Sequence, residues 1–355
     1  MIVRGKKGKS VQDRLEVLRA DPVFEKLLKE NNNAFDKLTL FEGDMKLIGL
    51  GLSSENRATI IREVELVFHA AADVRFDESL KEVTEINVRG TREIMLLSQE
   101  IQNLNVFVYV STAFCTPGFY VKEKFYQTNL DPDFMINVVE HLRPEDYDAF
   151  DAIARRIIQP YPNTYTYTKA LAEHIVRKYS GNMKVAISRP AIISTTYADP
   201  IPGYTDNVYG VNGVVAGAGV GILRILHINN DCNANIVPAD FVVNSIIGAA
   251  WFTMLEKMSK RDKILFNCNM EKLDWLDFFQ VFCAGIRKYI IKESDESIPD
   301  GKKKYRQMQF MHYTLMSVVY SFMAFIAYHI LKFYGFIDLG ADLFKHSKTS
   351  YAAFR

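Results

Sequence analysis

The chain has 355 residues, 48% of them hydrophobic and 24% charged, a balance that folds around one large core or a core with a smaller appendage and excludes a disordered chain. Its formal net charge of +1 supplies no bulk basic field, which excludes nucleic acid as a partner held by general electrostatics. Cys115, Cys232, Cys268 and Cys283 are scattered, with no C-x-x-C and no histidine pair at ligand spacing, so neither a metal site nor a disulfide framework is expected and a reducing compartment fits.

The amino terminus carries Arg4, Lys6, Lys7 and Lys9 with no apolar run behind them, so it does not read as a secretion signal. Short runs rich in β-branched and aromatic residues follow at Leu38–Phe41, Leu66–Phe68, Val106–Val110 and Val185–Ile187. Between them, Leu80–Ile101 and Tyr165–Tyr179 repeat their apolar positions with helical periodicity. Apolar strands separated by helices predict βαβ units, and hence an α/β, doubly wound parallel sheet buried on both faces. The segment from Cys115 to Gln159, with Pro117, Gly118, Pro132 and Pro144, reads as an insertion near the carboxyl edge of that sheet. A glycine-rich apolar region spans Ile201 to Ile228, Lys302–Arg306 is basic, and Phe310–Leu331 contains no Asp, Glu, Lys or Arg. At about 1.5 Å per helical residue that last run is long enough to cross a hydrocarbon core of about 30 Å. A buried or membrane-surface helix is the competing reading.

One constellation carries chemistry. Strand Val106–Val110 delivers Ser111 and Thr112 to the carboxyl edge, where open α/β sheets bind ligands. Tyr165 and Lys169 share a helix face one turn apart. A free tyrosine titrates near about 10, and a nearby ammonium is expected to lower that value. The Thr112 hydroxyl can hold a carbonyl oxygen beside the phenol as charge develops there. Tyr120/Lys124 and Tyr328/Lys332 show the same spacing without a hydroxyl-ended strand and read as solvated faces. His69, His174 and His227 read as structural, and Glu63, Glu65, Glu145, Asp146, Asp148 and Asp151 as solvated or loop carboxylates.

The block Tyr165-Thr-Tyr-Thr-Lys169-Ala-Leu-Ala-Glu173, preceded by Pro162-Asn163-Thr164, resembles the signature of the alcohol-forming fatty acyl-CoA reductases, insect-like members of the extended short-chain dehydrogenase/reductase superfamily. Further segments match in order: Lys7–Ser10, Gly43-Asp44, His69–Phe76, Asn87–Thr91, Val110–Ala113, Arg189-Pro190, Pro200–Asn207 and Val237–Asp240. Together they cover about residues 3 to 270. The resemblance implies a Rossmann-like reductase domain over 1–270, a linker and the start of a carboxyl-terminal domain over 271–309, and a hydrophobic helical tail over 310–355. It makes Thr112, Tyr165 and Lys169 catalytic, with Ser111 alongside. Asp44 is expected at the adenine, Ala70, Ala71 and Ala72 along the ribose and phosphates, and Pro190 and Ile192 beside the nicotinamide. Asn87 is expected to pin the fold behind the site. Arg4, with Lys6 or Lys7, is placed to pair with a 2′-phosphate, favouring NADPH.

The implied reaction is NADPH-dependent reduction of a long-chain acyl-CoA, through a bound aldehyde, to a primary alcohol. The membrane is the implied partner, at the endoplasmic reticulum or peroxisome with the catalytic side cytosolic, as the basic run ahead of the apolar stretch favours. The family's Gly-x-x-Gly-x-x-Gly loop is not found, so an amino-terminally incomplete chain that binds NADPH poorly is expected. Gly5–Ser10 is too short for a phosphate-binding P-loop, and Gly217, Gly219 and Gly221 follow the wrong segment, reading instead as packing or acyl-chain lining. Two alternatives stand: an extended short-chain reductase of another carbonyl, and a catalytically impaired, membrane-bound fragment or isoform.

Overall fold

Every strand pairing among the described residues is parallel. The computed structural model describes residues 1–5, 8, 10–118, 122–223, 235–255, 275–293 and 298–333. β1 (Ile2–Val3) pairs with β2 (Phe41–Glu42), and β3 (Leu66–His69), β4 (Val106–Val110) and β5 (Val185–Ser188) form a second ladder in that order. β6 (Ile192–Ser194) pairs with β7 (Ile236–Pro238). The apolar run at Leu38–Phe41 becomes strand only at its last residue. Bonds from Phe41 N–H to the Met1 carbonyl and from Gly43 N–H to the Val3 carbonyl set that register.

In the second ladder His69 faces Tyr109, and Val110 faces Ser188. The three strands therefore end level, and the loops at Ala70, Ser111 and Arg189 leave side by side. β4 is apolar throughout because both its faces are covered. Phe107 and Tyr109 pack with Leu97, Leu171 and Ile175 in the main core, while Val106 and Val108 pack on Ala250 across the sheet.

Helices α1 (Val11–Arg19), α2 (Glu25–Glu30) and α3 (Ser54–Glu63) precede β3. Ser10 opens α1 through a capping box with Asp13. The periodic stretch from Leu80 is α4 (Leu80–Val83), a π-helical segment over Thr84–Arg89, and α5 (Gly90–Glu100). At the junction a Cβ on Gly90 would come within 2.8 Å of the Met45 carbonyl, so the helix approaches that backbone as only glycine allows. The proline-marked insertion carries two helices, α6 (Pro132–His141), capped by Asp131, and α7 (Tyr147–Ile157). α8 (Thr164–Tyr179) starts at Asn163, whose side-chain oxygen accepts from Thr166 N–H at 2.9 Å.

Beyond β6 come α9 (Val211–Gly219), α10 (Ala239–Leu255) and α11 (Trp275–Gly285), the last continuing as a π-helical segment over Ile286–Ile291. Phe278, Phe282 and Ile286 form their own cluster with Tyr197 and Val215. Gly203 and Gly285 meet backbone to backbone: a Cβ on Gly285 would lie 1.7 Å from the Gly203 carbonyl oxygen. α12 (Ile298–Phe333) begins before the apolar run and takes in Lys302–Arg306. Its stretch Arg306–Lys332 is long and apolar enough to cross a membrane, and Phe310, Leu315, Phe322 and Phe325 on it are exposed.

Candidate active site

β4 runs into Ser111 and Thr112, both buried at the carboxyl edge. Ser111 N–H donates to the Ser188 carbonyl (2.7 Å) and Ala113 N–H to the Pro190 carbonyl (2.9 Å). The loop after β4 is thereby stitched to the loop after β5. Across from it, the Asn163 cap puts Tyr165 in the first turn of α8 and Lys169 one turn on.

The Thr112 hydroxyl stands beside the half-buried Tyr165 phenol. Burial pushes the phenol above its ordinary value, and the Thr112 hydroxyl opposes that shift. The group is thus protonated at neutral pH, as a proton donor must be. The Phe76 ring lies 5.7 Å from the Tyr165 ring, centroid to centroid.

Lys169 is 2% exposed. Its Nζ donates to the Val110 carbonyl at 2.6 Å and lies 4.2 Å from the centre of the Tyr109 ring. Burial pushes the ammonium down to about 7, against the pull of Glu173 and then the Cys115 thiol. The sequence places the ammonium where it lowers the phenol. In the structure Lys169 instead caps the last carbonyl of β4, and burial governs Tyr165.

Behind these groups lies a buried polar cluster. Arg189 grips Glu173 through two bonds, Nε to Oε1 at 2.9 Å and Nη2 to Oε2 at 2.7 Å. The Cys115 thiol donates to Glu173 Oε1 at 3.0 Å. Burial acts to raise the Glu173 carboxyl, but Arg189, then Ser111 and Cys115, together hold it below the usual range. Burial first, and then Glu173, push the Cys115 thiol up to about 11, so it is a donor rather than a thiolate. The buried Ser111 hydroxyl is close enough to favour the carboxylate but makes no well-formed hydrogen bond. Ser111, Glu173 and Arg189 lie within the sequence blocks that mark the site, and Cys115 two residues beyond one. The signal for Glu173 is its position one turn beyond Lys169 on the same helix face.

Asn87 accepts from Asp73 N–H (2.8 Å) and donates to the Asp73 carbonyl (3.0 Å) and to the Thr168 hydroxyl (3.1 Å). It ties the loop after β3 to α8. His69 is buried, with Nε2 2.9 Å from the Thr91 hydroxyl; burial, then Lys169, push its imidazole down to about 3, so it stays neutral. His174 contacts Thr128, whereas His227 lies outside the described residues. Asp146 pairs with Arg143, and Asp151 accepts from Leu80 N–H. Tyr328 is exposed on α12, and Tyr120 lies outside the described residues.

The remaining candidates follow strand ends. Arg4 follows β1 and Asp44 follows β2, with Arg4 Nε 3.9 Å from Asp44 Oδ2. Arg14 joins them, donating to the Arg4 carbonyl at 2.6 Å. Lys6 and Lys7 lie outside the described residues. Ala70 and Ala71 are exposed and Ala72 half-buried at the end of β3, where small side chains leave the backbone open. Pro190 follows β5, and Ile192 opens β6 with 40% of its surface exposed. A row of carboxyl-end residues with two guanidinium groups and a carboxylate fits a nicotinamide dinucleotide laid across the sheet.

Comparison with known proteins agrees. A family model described as male sterility protein, NAD-binding, matches residues 1–246, and a second male sterility protein model matches residues 249–293. The chain is 31% identical over 451 residues to Fatty acyl-CoA reductase wat of Drosophila melanogaster, covering 94% of this chain and 87% of that one. It is 36% identical over 270 residues to Fatty acyl-CoA reductase 1 of Homo sapiens, covering 76% of this chain and 51% of that one. Thus it spans about half the length of the vertebrate relatives. Among solved structures, the terminal R domain from the myxalamid PKS-NRPS biosynthetic pathway superposes with a TM-score of 0.50 at 21% identity, over 69% of this chain and 53% of that one, a likeness of fold.

Proposed function

This chain belongs to the male sterility protein family, that of the fatty acyl-CoA reductases, and on that premise we propose that it reduces long-chain acyl-CoA thioesters to primary alcohols with NADPH. The observation that carries the reading is the Thr112 hydroxyl beside a protonated Tyr165 phenol, at the end of β4 and one helical turn from the buried Lys169.

When bound, the nicotinamide supplies hydride to the carbonyl carbon. Everything else falls to this chain's side chains. Thr112 donates a hydrogen bond to the thioester carbonyl oxygen and holds it against the phenol. Tyr165 gives that oxygen its proton as negative charge builds there. Lys169, clamped on the Val110 carbonyl, fixes the strand end from which Ser111 and Thr112 project. Loss of CoA leaves an aldehyde, and the same hydroxyl pair serves its reduction to the alcohol. Arg4, with Arg14 behind it, is the donor set for a 2′-phosphate, which favours NADPH over NADH; Asp44 faces the adenine end.

The helix Arg306–Lys332 suits a membrane-anchored enzyme acting on a lipid chain, with the basic run ahead of it on the cytosolic side, at the endoplasmic reticulum or peroxisome. Alkaline carbonate extraction tests the anchor: retention in the pellet supports it, and release into the supernatant contradicts it. For the reaction, purified chain given palmitoyl-CoA and NADPH in large excess, to offset the weak binding expected without the glycine loop, is expected to yield hexadecanol and free CoA. Turnover of a sterol or sugar-nucleotide carbonyl in preference to the thioester would sink this assignment.

A further inference from the structure

Away from the catalytic edge, a cleft of about 420 Å³ opens between α2, the loop after β6 and the π-helical segment at Ile286–Ile291. Glu25, Lys26, Lys29 and Glu30 line it from α2, Ile201 from the loop, and Lys288 and Tyr289 from the π-helical segment. Its walls are fixed. The Gly203–Gly285 approach locks the loop onto the helix, the Tyr204 ring packs edge-on against Tyr289 at 5.2 Å, and the Tyr204 hydroxyl donates to Asp21 Oδ1 at 2.6 Å.

Charge in the cleft favours an anion. Lys29 pairs with Glu25 at 2.9 Å and Lys288 also acts on that carboxylate, so in all three lysines stand against two glutamates. Lys288 Nζ sits 5.2 Å from the centre of the Tyr289 ring, so a cation and an aromatic edge are presented together. Reach is the second constraint. Pro190 is bonded to the residue after Thr112, and Thr196, six residues on at no more than about 21 Å of extended chain, takes the Ile201 carbonyl on its hydroxyl at 2.5 Å. The pantetheine arm and diphosphate of CoA span about 20 Å at about 1.3 Å of advance per bond.

We propose that this cleft binds the 3′-phosphorylated ADP end of the acyl-CoA, with Lys26 and Lys288 on its phosphates and Tyr289 along its base. The assignment rests on the acyl-CoA reading above and adds where the nucleotide of that substrate docks. The acyl thioester then extends along the loop after β6 toward Thr112 and Tyr165.

The test uses the full chain and the surface variant Lys26→Ala/Lys288→Ala. Calorimetry with CoA, 3′-dephospho-CoA and inorganic phosphate reads the site without turnover. The variant is expected to weaken CoA binding on the order of tenfold or more, the loss of charge-assisted bonds to phosphate, and to bind CoA and 3′-dephospho-CoA alike. In parallel, the unmodified chain should prefer palmitoyl-CoA to S-palmitoyl-pantetheine, and the variant should lose that preference. Unchanged CoA affinity in the variant overturns the site even where both thioesters are reduced. Lysine-dependent CoA binding by a chain that reduces neither thioester upholds the site and removes the reductase reading instead. Inorganic phosphate binding as tightly as CoA overturns the nucleotide assignment.

Discussion

Arg189 and Glu173 join the loop after β5 to helix α8 through a two-pronged ion pair, at 2.9 and 2.7 Å. Glu173 stands one turn beyond Lys169 on α8, and Arg189 immediately precedes Pro190, so the pair sets the distance between α8 and the loop proposed to meet the nicotinamide. Removing one member leaves the other charge buried, which costs about 3 kcal/mol or more. Glu173→Gln is therefore expected to lower unfolding stability by that order in a denaturant titration. Arg189→Lys, which keeps the charge but loses the fork, should fall between it and the unmodified chain. Equal stability of all three proteins would show the pair to be incidental.

The phenol is the most exposed of the chemical claims to mutation. Tyr165→Phe keeps the ring against Phe76 and deletes only the proton donor. It should reduce kcat/KM for acyl-CoA by about 10²- to 10⁴-fold while leaving NADPH affinity, read by nucleotide fluorescence, within about twofold. Thr112→Val, which removes the second hydroxyl at constant shape, should cost on the order of 10²-fold.

Lys169 predicts a pH signature in stability. Its folded value, about 7, lies below the ordinary lysine value of 10.5, so above pH 7 the unfolded chain binds more protons at this group than the folded one. Stability therefore rises with pH from about 7 upward on its account. The raised values of Tyr109, Tyr165 and Cys115 act in the opposite sense, at the alkaline end. Thermal melts of Lys169→Met between pH 6 and about 9 should lack the rise that the unmodified chain shows. A parallel rise in both would remove Lys169 as its source.

Much of this site is legible in the chain. Val106–Val110 reads as a strand because it is apolar on both faces, and it is found at those bounds. Asn163 ahead of a periodic run marks the start of α8. Long-range choices are not local properties. The register of β2 comes from Met1 and Val3, and the π-helical turn at Thr84–Arg89 breaks a stretch whose periodicity reads as one helix. The direction of Lys169 is of the same kind: spacing puts it on the face of Tyr165, but the free carbonyl at Val110 decides where its ammonium goes. Likewise nothing near Arg189 in the chain names Glu173 as its partner.

Asn87 is the hinge pin between the loop after β3 and α8. Asn87→Ala strands the Asp73 N–H and carbonyl, while the Thr168 hydroxyl keeps the Thr164 carbonyl, with a cost of about 2–3 kcal/mol. The same variant should raise KM for the nucleotide more than it lowers kcat, because Ala70–Ala72 lie on the loop it releases. Unaltered melting and nucleotide affinity would contradict that role.

Arg4 and Arg14 predict cofactor choice. Arg4→Ser should weaken NADPH by about tenfold, the value of a charge-assisted phosphate contact, and leave NADH unaffected. Equal loss for both nucleotides would place Arg4 away from the 2′-phosphate.

The most direct measurement is a product balance on the purified chain given NADPH and radiolabelled palmitoyl-CoA, with Tyr165→Phe alongside. The account predicts hexadecanol and free CoA in equal amounts, two NADPH consumed per CoA released, and loss of both products in the variant. NADPH bound at the sheet edge without any hexadecanal or hexadecanol, or the same yield from Tyr165→Phe, would contradict it.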